Sequence, residues 1–323
     1  MNTIYRDKLP HLAGQVFVTG GAGFLGRSLL RRAFEASWPC QFTVFGRDEE
    51  KLTQAKYRWP DINIVIGDVR DYRHLLNAMR GHETVIHAAA IKFIPEAEHN
   101  VFETVKTNVE GSRNVANAAR EIGVKQVIGI STDKACLPVN TYGMTKALME
   151  RMFAEANNWG STRFVIARYG NVVGSTGSIV PVFQRQLAET GHVKVTDPNM
   201  TRFWLSPDEA IDLILLALGQ SKTYPGCVFV PRCPAMRIGD LAAALSNGVP
   251  SDIIGSRPGE KVHEDLIHSQ ESIRVLDRGD YFIVYPAVSA NIQGRSWTYS
   301  SHTPAGWVTP EHMLKMIADA ATI

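Results

Sequence analysis

Thr19-Gly20-Gly21-Ala22-Gly23-Phe24-Leu25-Gly26 stands between a β-branched run, Gln15–Gly20, and an amphipathic one, Phe24–Ala36. Gly20 permits a tight strand-to-helix turn, Gly23 lets the backbone approach a pyrophosphate, and Gly26 lets helix and strand pack closely. Phe24 and Leu25 fall in the first helical turn, where the positive end of the helix dipole meets the anion. A glycine pattern alone is weak evidence, but at the head of a strand–helix series it reads as a dinucleotide site.

That series continues outward. Strands are expected at Gln15–Gly20, Phe42–Phe45, Ile62–Ile66, Thr84–His87, Gln126–Ser131 and Arg163–Arg168, with helices near Phe24–Ala36, Glu49–Tyr57, Arg73–Met79, Phe102–Ile122 and Thr141–Asn157. Strands alternating with helices imply βαβ units and a parallel sheet covered on both faces. The fold class is α/β, a doubly wound parallel (Rossmann) sheet with ligands beyond the strands' carboxyl ends. After Tyr169 the rhythm changes: Gly170, Gly174, Ser175, Gly177 and Ser178 crowd together and segments shorten. Residues 1–170 therefore read as the dinucleotide-binding domain and 171–323 as a smaller, interleaved substrate-binding portion. A helix near Pro207–Leu218 is expected to return to the first domain. No internal repeat or low-complexity segment interrupts this pattern.

Composition narrows the class. The 323 residues are 45% hydrophobic and 20% charged, with a formal net charge of +2. Lys and Arg are scattered, so neither a nucleic-acid stripe nor a polybasic membrane patch is expected, while a phosphorylated small ligand is allowed. Cys40, Cys136, Cys227 and Cys233 form no Cys-x-x-Cys pair, which speaks for packing rather than disulfides or a metal site. The first eight residues lack an apolar run, and the most apolar stretch, Ile211–Leu218, is far short of the ~20 residues that cross a bilayer. A cytoplasmic enzyme with no membrane insertion is the expectation.

Cofactor choice depends on the end of the second strand, where an NAD site wants an acid for the ribose 2′-hydroxyl. Here Gly46 is followed by Arg47, and the first acid, Asp48, is placed to cap the next helix. An arginine fork suits a 2′-phosphate, which favours NADP over NAD; a solvated loop charge is the plainer reading of Arg47. Asp68 and Val69, after the third strand, are placed to frame the adenine. Ala88, Ala89 and Ala90, after the fourth, would let the backbone approach the nicotinamide ribose. Ordinary strand-to-helix turns would read the same way.

Tyr142 and Lys146 stand four apart at a helix start and share one face. A free tyrosine titrates near ~10, and a nearby ammonium and an oxidised nicotinamide both favour phenolate. Tyr142 is thus a base for a substrate hydroxyl whose carbon loses hydride to the cofactor. The fifth strand ends in Ser131-Thr132-Asp133-Lys134, an acid and an amine side by side at the rim of the nicotinamide pocket. β-Elimination needs such a pair, with Lys134 taking a C5 proton from a 4-keto sugar and Asp133 protonating the departing C6 hydroxyl. Lys134 is expected to need a depressed pKa, supplied by the cofactor, Lys146 and burial. An Asp–Lys turn pair in solvent is the alternative.

At these residues the chain resembles the UDP-N-acetylglucosamine 4,6-dehydratases of the inverting group, in the extended short-chain dehydrogenase/reductase family. The likeness runs from Val16 to about Tyr285. It rests on residues 131–135 and 140–146, Arg168-Tyr169-Gly170-Asn171-Val172-Val173-Gly174-Ser175, Met200-Thr201-Arg202-Phe203-Trp204 and Arg257-Pro258-Gly259-Glu260-Lys261-Val262-His263-Glu264. The resemblance implies Thr132, Asp133, Lys134, Tyr142 and Lys146 as the reacting set. Around the sugar nucleotide it implies Lys92, Asn171, Arg202, Arg257 and Glu260, with no metal. It also implies a UDP-sugar substrate, a 4-keto-6-deoxy product and a homo-oligomer. Phe93 after Lys92, and Cys136-Leu137 after Ala135, depart from the family pattern near the sugar. An epimerase or reductase on the same fold would leave Asp133 and Lys134 idle, and a non-catalytic dinucleotide-binding scaffold would not keep all the reacting residues.

Overall fold

The computed structural model describes residues 9–287 and 295–323. The first eight residues, expected to carry no signal peptide, lie outside the described residues.

The chain opens with β1 (Gly14–Thr19), α1 (Phe24–Glu35), β2 (Cys40–Gly46), α2 (Glu49–Arg58), β3 (Asn63–Ile66), α3 (Tyr72–Met79) and β4 (Thr84–His87). Three helices, α4 (Ile94–His99), α5 (Val101–Val105) and α6 (Gly111–Ile122), lead to β5 (Gln126–Thr132), α7 (Thr141–Ala156) and β6 (Arg163–Tyr169). Next come β7 (Asn171–Val172), α8 (Ile179–Thr190), β8 (Lys194–Val195), β9 (Thr201–Leu205), α9 (Pro207–Gly219), β10 (Val228–Pro231), β11 (Ala235–Arg237) and α10 (Ile238–Leu245). The remainder holds β12 (Asp252–Ile253), β13 (Asp265–Ile267), α11 (Ser269–Ser272), β14 (Val275–Asp277), β15 (Tyr281–Val284), β16 (Tyr299–Ser300) and α12 (Pro310–Ala320).

The main sheet has the order β14-β15-β10-β6-β5-β4-β1-β2-β3. All six strands read from the sequence are in it and pair in parallel. Val16, Phe17, Val127, Ile128, Val165 and Ile166 are wholly buried, as expected of strands covered on both faces. The order reverses between β1 and β4, which opens a crevice at the carboxyl ends. Three further strands, not foreseen, extend the sheet: β10 lies parallel to β6, and β15 and β14 follow antiparallel. Helix α9 starts with a capping box of Ser206 and Glu209 and packs on α1, β5 and β6. Arg31 bonds Asp208 at 2.7 Å and Arg32 bonds Asp212. The smaller sheets are β11-β9-β7, β12-β8 and β13-β16.

The expected helix Phe102–Ile122 is interrupted. Lys106–Glu110 forms a π-turn between α5 and α6, and its Asn108 is buried. The Asn108 amide accepts from Ile91 N–H and donates to Ile91 C=O, both at 2.8 Å, and donates to Thr145 Oγ1 at 3.0 Å. The residue added in this turn places the side chain where it pairs both backbone groups of Ile91, in the loop after β4. Among the described residues no helix is long and apolar enough to cross a membrane.

Candidate active site

The glycine turn behaves as its sequence predicts. Gly20 has φ +67°, donates its N–H to Phe45 O at 2.8 Å, and lies so close to the next turn that a Cβ would stand 2.9 Å from Ala89 N. A Cβ on Gly26 would fall 2.0 Å from Gly21 O, so only glycine lets α1 close on the turn. Gly23 is the N-cap of α1, and no side chain caps the first turn. Those amides therefore remain for an anion. Gly20, Gly23, Phe24 and Leu25 line one end of a cavity of about 710 Å³, together with Arg47, Asp68, Val69, Ala88, Ala89 and Ala90.

Asp48 caps α2, accepting from Lys51 N–H at 3.0 Å and from Lys51 Nζ at 2.5 Å. Asp48 also lines the cavity beside Arg47, so an acid and a cation both stand at the end of β2. Asp68 accepts from Arg70 at 2.6 and 2.8 Å, while Arg47, more than half exposed, approaches Asp68 only to 3.9 Å.

At the other end, β5 runs into a 3-10 turn, Asp133–Ala135. Asn140 caps α7 through Gly143 N–H at 2.8 Å and donates to Gly259 O at 2.9 Å, tying the helix to the 257–264 segment. A Cβ on Gly143 would lie 2.1 Å from Lys134 O, so this glycine lets the turn press on the helix that carries Tyr142. Thr132, Lys134, Tyr142 and Lys146 all line the cavity. Lys134 Nζ is 3.0 Å from Asp133 Oδ1, which also accepts from Thr132 Oγ1 at 2.9 Å, and 3.6 Å from Glu264 Oε1.

Asp133 corrects the expectation of an acid at the rim. It is fully buried, is absent from the cavity wall, and keeps Oδ2 without a hydrogen-bond partner. The 3-10 turn carries its carboxylate under the end of β5 towards Gly170, where Oδ2 lies 3.3 Å from the position of a Cβ.

Two electrostatic expectations are also corrected. Burial alone would pull the Lys134 pKa down, but the Asp133 and Glu264 carboxylates outweigh it and hold the pKa above the ordinary lysine value. Burial pushes the Tyr142 phenol up to about 12, and the cation that opposes this is Lys134, helped by a hydrogen bond to Thr132. Lys146 does not supply that charge. Its Nζ donates to Ile130 O at 2.8 Å, and burial lowers its pKa to about 8 despite Glu150.

Lys92, Asn171, Arg202, Arg257 and Glu260 all reach the same cavity. The Arg202 guanidinium is fixed by the carbonyls of Thr201, Lys261 and Val262 at 2.8, 2.9 and 3.1 Å. Lys92 lies over the Phe93 ring, and a Cβ on Gly177 would meet that ring at 1.7 Å, so the two residues close one wall. Glu264, Thr107 and Ser178, which carried no sequence assignment, also line the cavity. Glu260 Oε2, Glu264 Oε2, Thr107 Oγ1 and Ser178 Oγ are buried without hydrogen-bond partners, a donor and acceptor set that fits a polar ligand. Only Glu264 had a sequence signal, as the last residue of the quoted 257–264 run.

Behind this wall lies a second charged group. Arg168 on β6 donates to Glu150 at 2.5 and 2.9 Å and to Glu271 at 2.7 and 2.9 Å, with Ser131 Oγ donating to Glu150 at 2.5 Å.

A family model described as polysaccharide biosynthesis protein matches residues 16–286, which include every residue that lines the cavity. The chain belongs to this family. Within the polysaccharide biosynthesis family it is 38% identical to a Campylobacter jejuni UDP-N-acetylglucosamine 4,6-dehydratase (inverting), covering 94% of this chain and 96% of that one. It is 36% identical to a Rickettsia felis UDP-glucose 4-epimerase, over 90% and 86% of the two chains. Its structure is similar to that of Pen from Bacillus thuringiensis, with a TM-score of 0.86, 30% identity, and coverage of 96% and 98%.

Proposed function

We propose that the protein is an NADP-dependent nucleotide-sugar 4,6-dehydratase that converts UDP-N-acetylglucosamine to a UDP-4-keto-6-deoxyhexosamine, with inversion at C5. The observation that carries this reading is the Asp133–Lys134 ion pair beside Tyr142 at the end of β5. A bound dinucleotide would accept hydride from C4 and return it to C6. Tyr142 takes the C4 hydroxyl proton, its phenolate favoured by the Lys134 charge. Proton transfer across the 3.0 Å contact turns the resting pair into Asp133 carboxylic acid and Lys134 amine. These are the acid and base that elimination needs: the amine takes the C5 proton, the acid protonates the C6 hydroxyl as it leaves as water, and the ion pair is restored. As hydride returns to C6, a solvent-derived proton is added at C5 from the face opposite the one that lost it, which completes the product. Asp133 has to turn from beneath the strand end to do so; Oδ2 makes no hydrogen bond that resists this, and Oδ1 gives up those from Thr132 and Lys134.

Arg47, the first charged residue past β2 and on the cavity wall, supports NADP, and Arg202, Arg257 and Lys92 are suited to the diphosphate. Asn171 and Glu260 are suited to sugar and ribose hydroxyls. Residues 1–170 hold the cofactor and contribute Lys92, and 171–323 supply the rest of the sugar-nucleotide site, in a cytoplasmic homo-oligomer; exposed Phe102, Met144 and Leu148 on the packed helices α5 and α7 support the assembly.

The test is incubation with UDP-N-acetylglucosamine and NADP in heavy water. Loss of one water, read by mass spectrometry, with deuterium at C5 is expected. Epimerisation without water loss would replace this reading by the epimerase one, which the Rickettsia relative represents and which uses Tyr142 but leaves the ion pair idle.

A further inference from the structure

Glu264 is buried on the cavity wall, and no role was read for it from the sequence. Its Oε1 lies 3.6 Å from Lys134 Nζ, and its Oε2 has no hydrogen-bond partner, the Lys261 ammonium standing 4.0 Å away. Its backbone is pinned, since Glu264 N–H donates to Ser301 Oγ at 2.9 Å and Ser301 N–H to Glu264 O at 2.8 Å. Lys261 Nζ in turn donates to Cys136 O at 2.6 Å, binding this segment to the turn that carries Lys134.

We propose that Glu264 is a positioning residue for Lys134: opposite Asp133 it clamps the ammonium on the cavity wall and sets the pH at which the amine becomes available. The charged and titratable groups facing this pair are Asp133 on the same turn, Tyr142 on α7, Arg202 on β9 and Lys261 on the loop. Arg202 opposes the ammonium while the two carboxylates favour it, so the balance depends on the charge of Glu264. Burial raises the Glu264 pKa, and Lys134, Arg202 and Lys261 pull it back. Whenever Glu264 is neutral, Lys134 loses one of its two counter-charges and gives up its proton more readily. The consequence for C5 chemistry rests on the dehydratase reading; the clamp itself does not.

The experiment follows Lys134 directly. Full-length protein with 15N-labelled lysine Nζ is titrated by NMR, with Lys134→Arg identifying the signal. Glu264→Gln is expected to lower the Lys134 midpoint by about one pH unit or more, the usual effect of one opposite charge at this range. Glu264→Asp, which keeps the charge one methylene further back, should give a midpoint between the two. Because elimination uses the proton that Lys134 shares with Asp133, the alkaline limb of water loss should move down with the midpoint. An unchanged or raised midpoint in Glu264→Gln overturns the proposal. A lowered midpoint with no C5 exchange even in the wild type upholds the clamp and overturns the dehydratase reading.

Discussion

Two cations, one on β6 and one on the turn that follows its neighbour β5, are each held between two carboxylates, and they differ in how completely. Arg168 fills its fork with four carboxylate contacts of 2.5 to 2.9 Å, from Glu150 and Glu271. Lys134 has one hydrogen bond at 3.0 Å, one looser ion pair at 3.6 Å, and an idle oxygen on each partner. Adjacent hydroxyls serve them, Ser131 on Glu150 and Thr132 on Asp133. The charge count is the same, but a guanidinium does not deprotonate in a protein, whereas an amine does. Saturation makes the first cluster a fastener; the shortfall at the second leaves room for a proton to move.

Lys134→Arg breaks the contrast most severely, because it gives the reactive site the chemistry of the inert one. Water loss from the sugar nucleotide should fall at least about a thousandfold, within the range ascribed to a positioned acid or base. Dinucleotide binding, read by fluorescence titration, should persist. Next in size, Arg168→Met strands two buried carboxylates and should cost about 3–5 kcal/mol in denaturant unfolding. A melting curve like the wild type's would show that the fastener carries no strength. Arg47 belongs to neither clamp, and Arg47→Ala should weaken NADP binding roughly tenfold or more while sparing NAD. Equal losses for both would remove the case for a 2′-phosphate site.

The smallest effect is one of sign. Burial tends to raise the Glu271 pKa, but Arg168 outweighs it and holds it below the usual range, so its stabilisation is present above the unfolded value near 4.5 and is lost as pH falls through the lower folded one. Glu264 is shifted upward by burial, so its ionisation costs stability as pH rises from that same value through the folded one. At pH 8, Glu271→Gln should lower the melting temperature and Glu264→Gln should leave it equal or higher. The same sign for both would erase the distinction.

The parallel half of the sheet was legible because each strand is a β-branched run bounded by amphipathic helices. Val228–Pro231 and Tyr281–Val284 were not, because they lie past Tyr169 where the alternating series breaks up, and the second pairs antiparallel. Gly20, Gly26 and Asp48 could be read residue by residue, since a positive φ, a close approach and a helix cap are local demands. Asp133 could be placed beside Lys134 but not oriented, because which way a 3-10 turn throws each side chain depends on Gly170 and Gly143 across the fold. Glu264 is 130 positions from its cation, and neither periodicity nor spacing announces such a partnership.

The π-turn at Lys106–Glu110 restricts the chain's freedom to change length. Deleting one residue between Val101 and Ile122 would let the winding become regular and swing Asn108 off Ile91, stranding an amide and a carbonyl beneath the Ala88–Ala90 loop. Side-chain exchanges along the outer face of that rod are open to drift; gains or losses of a residue are not.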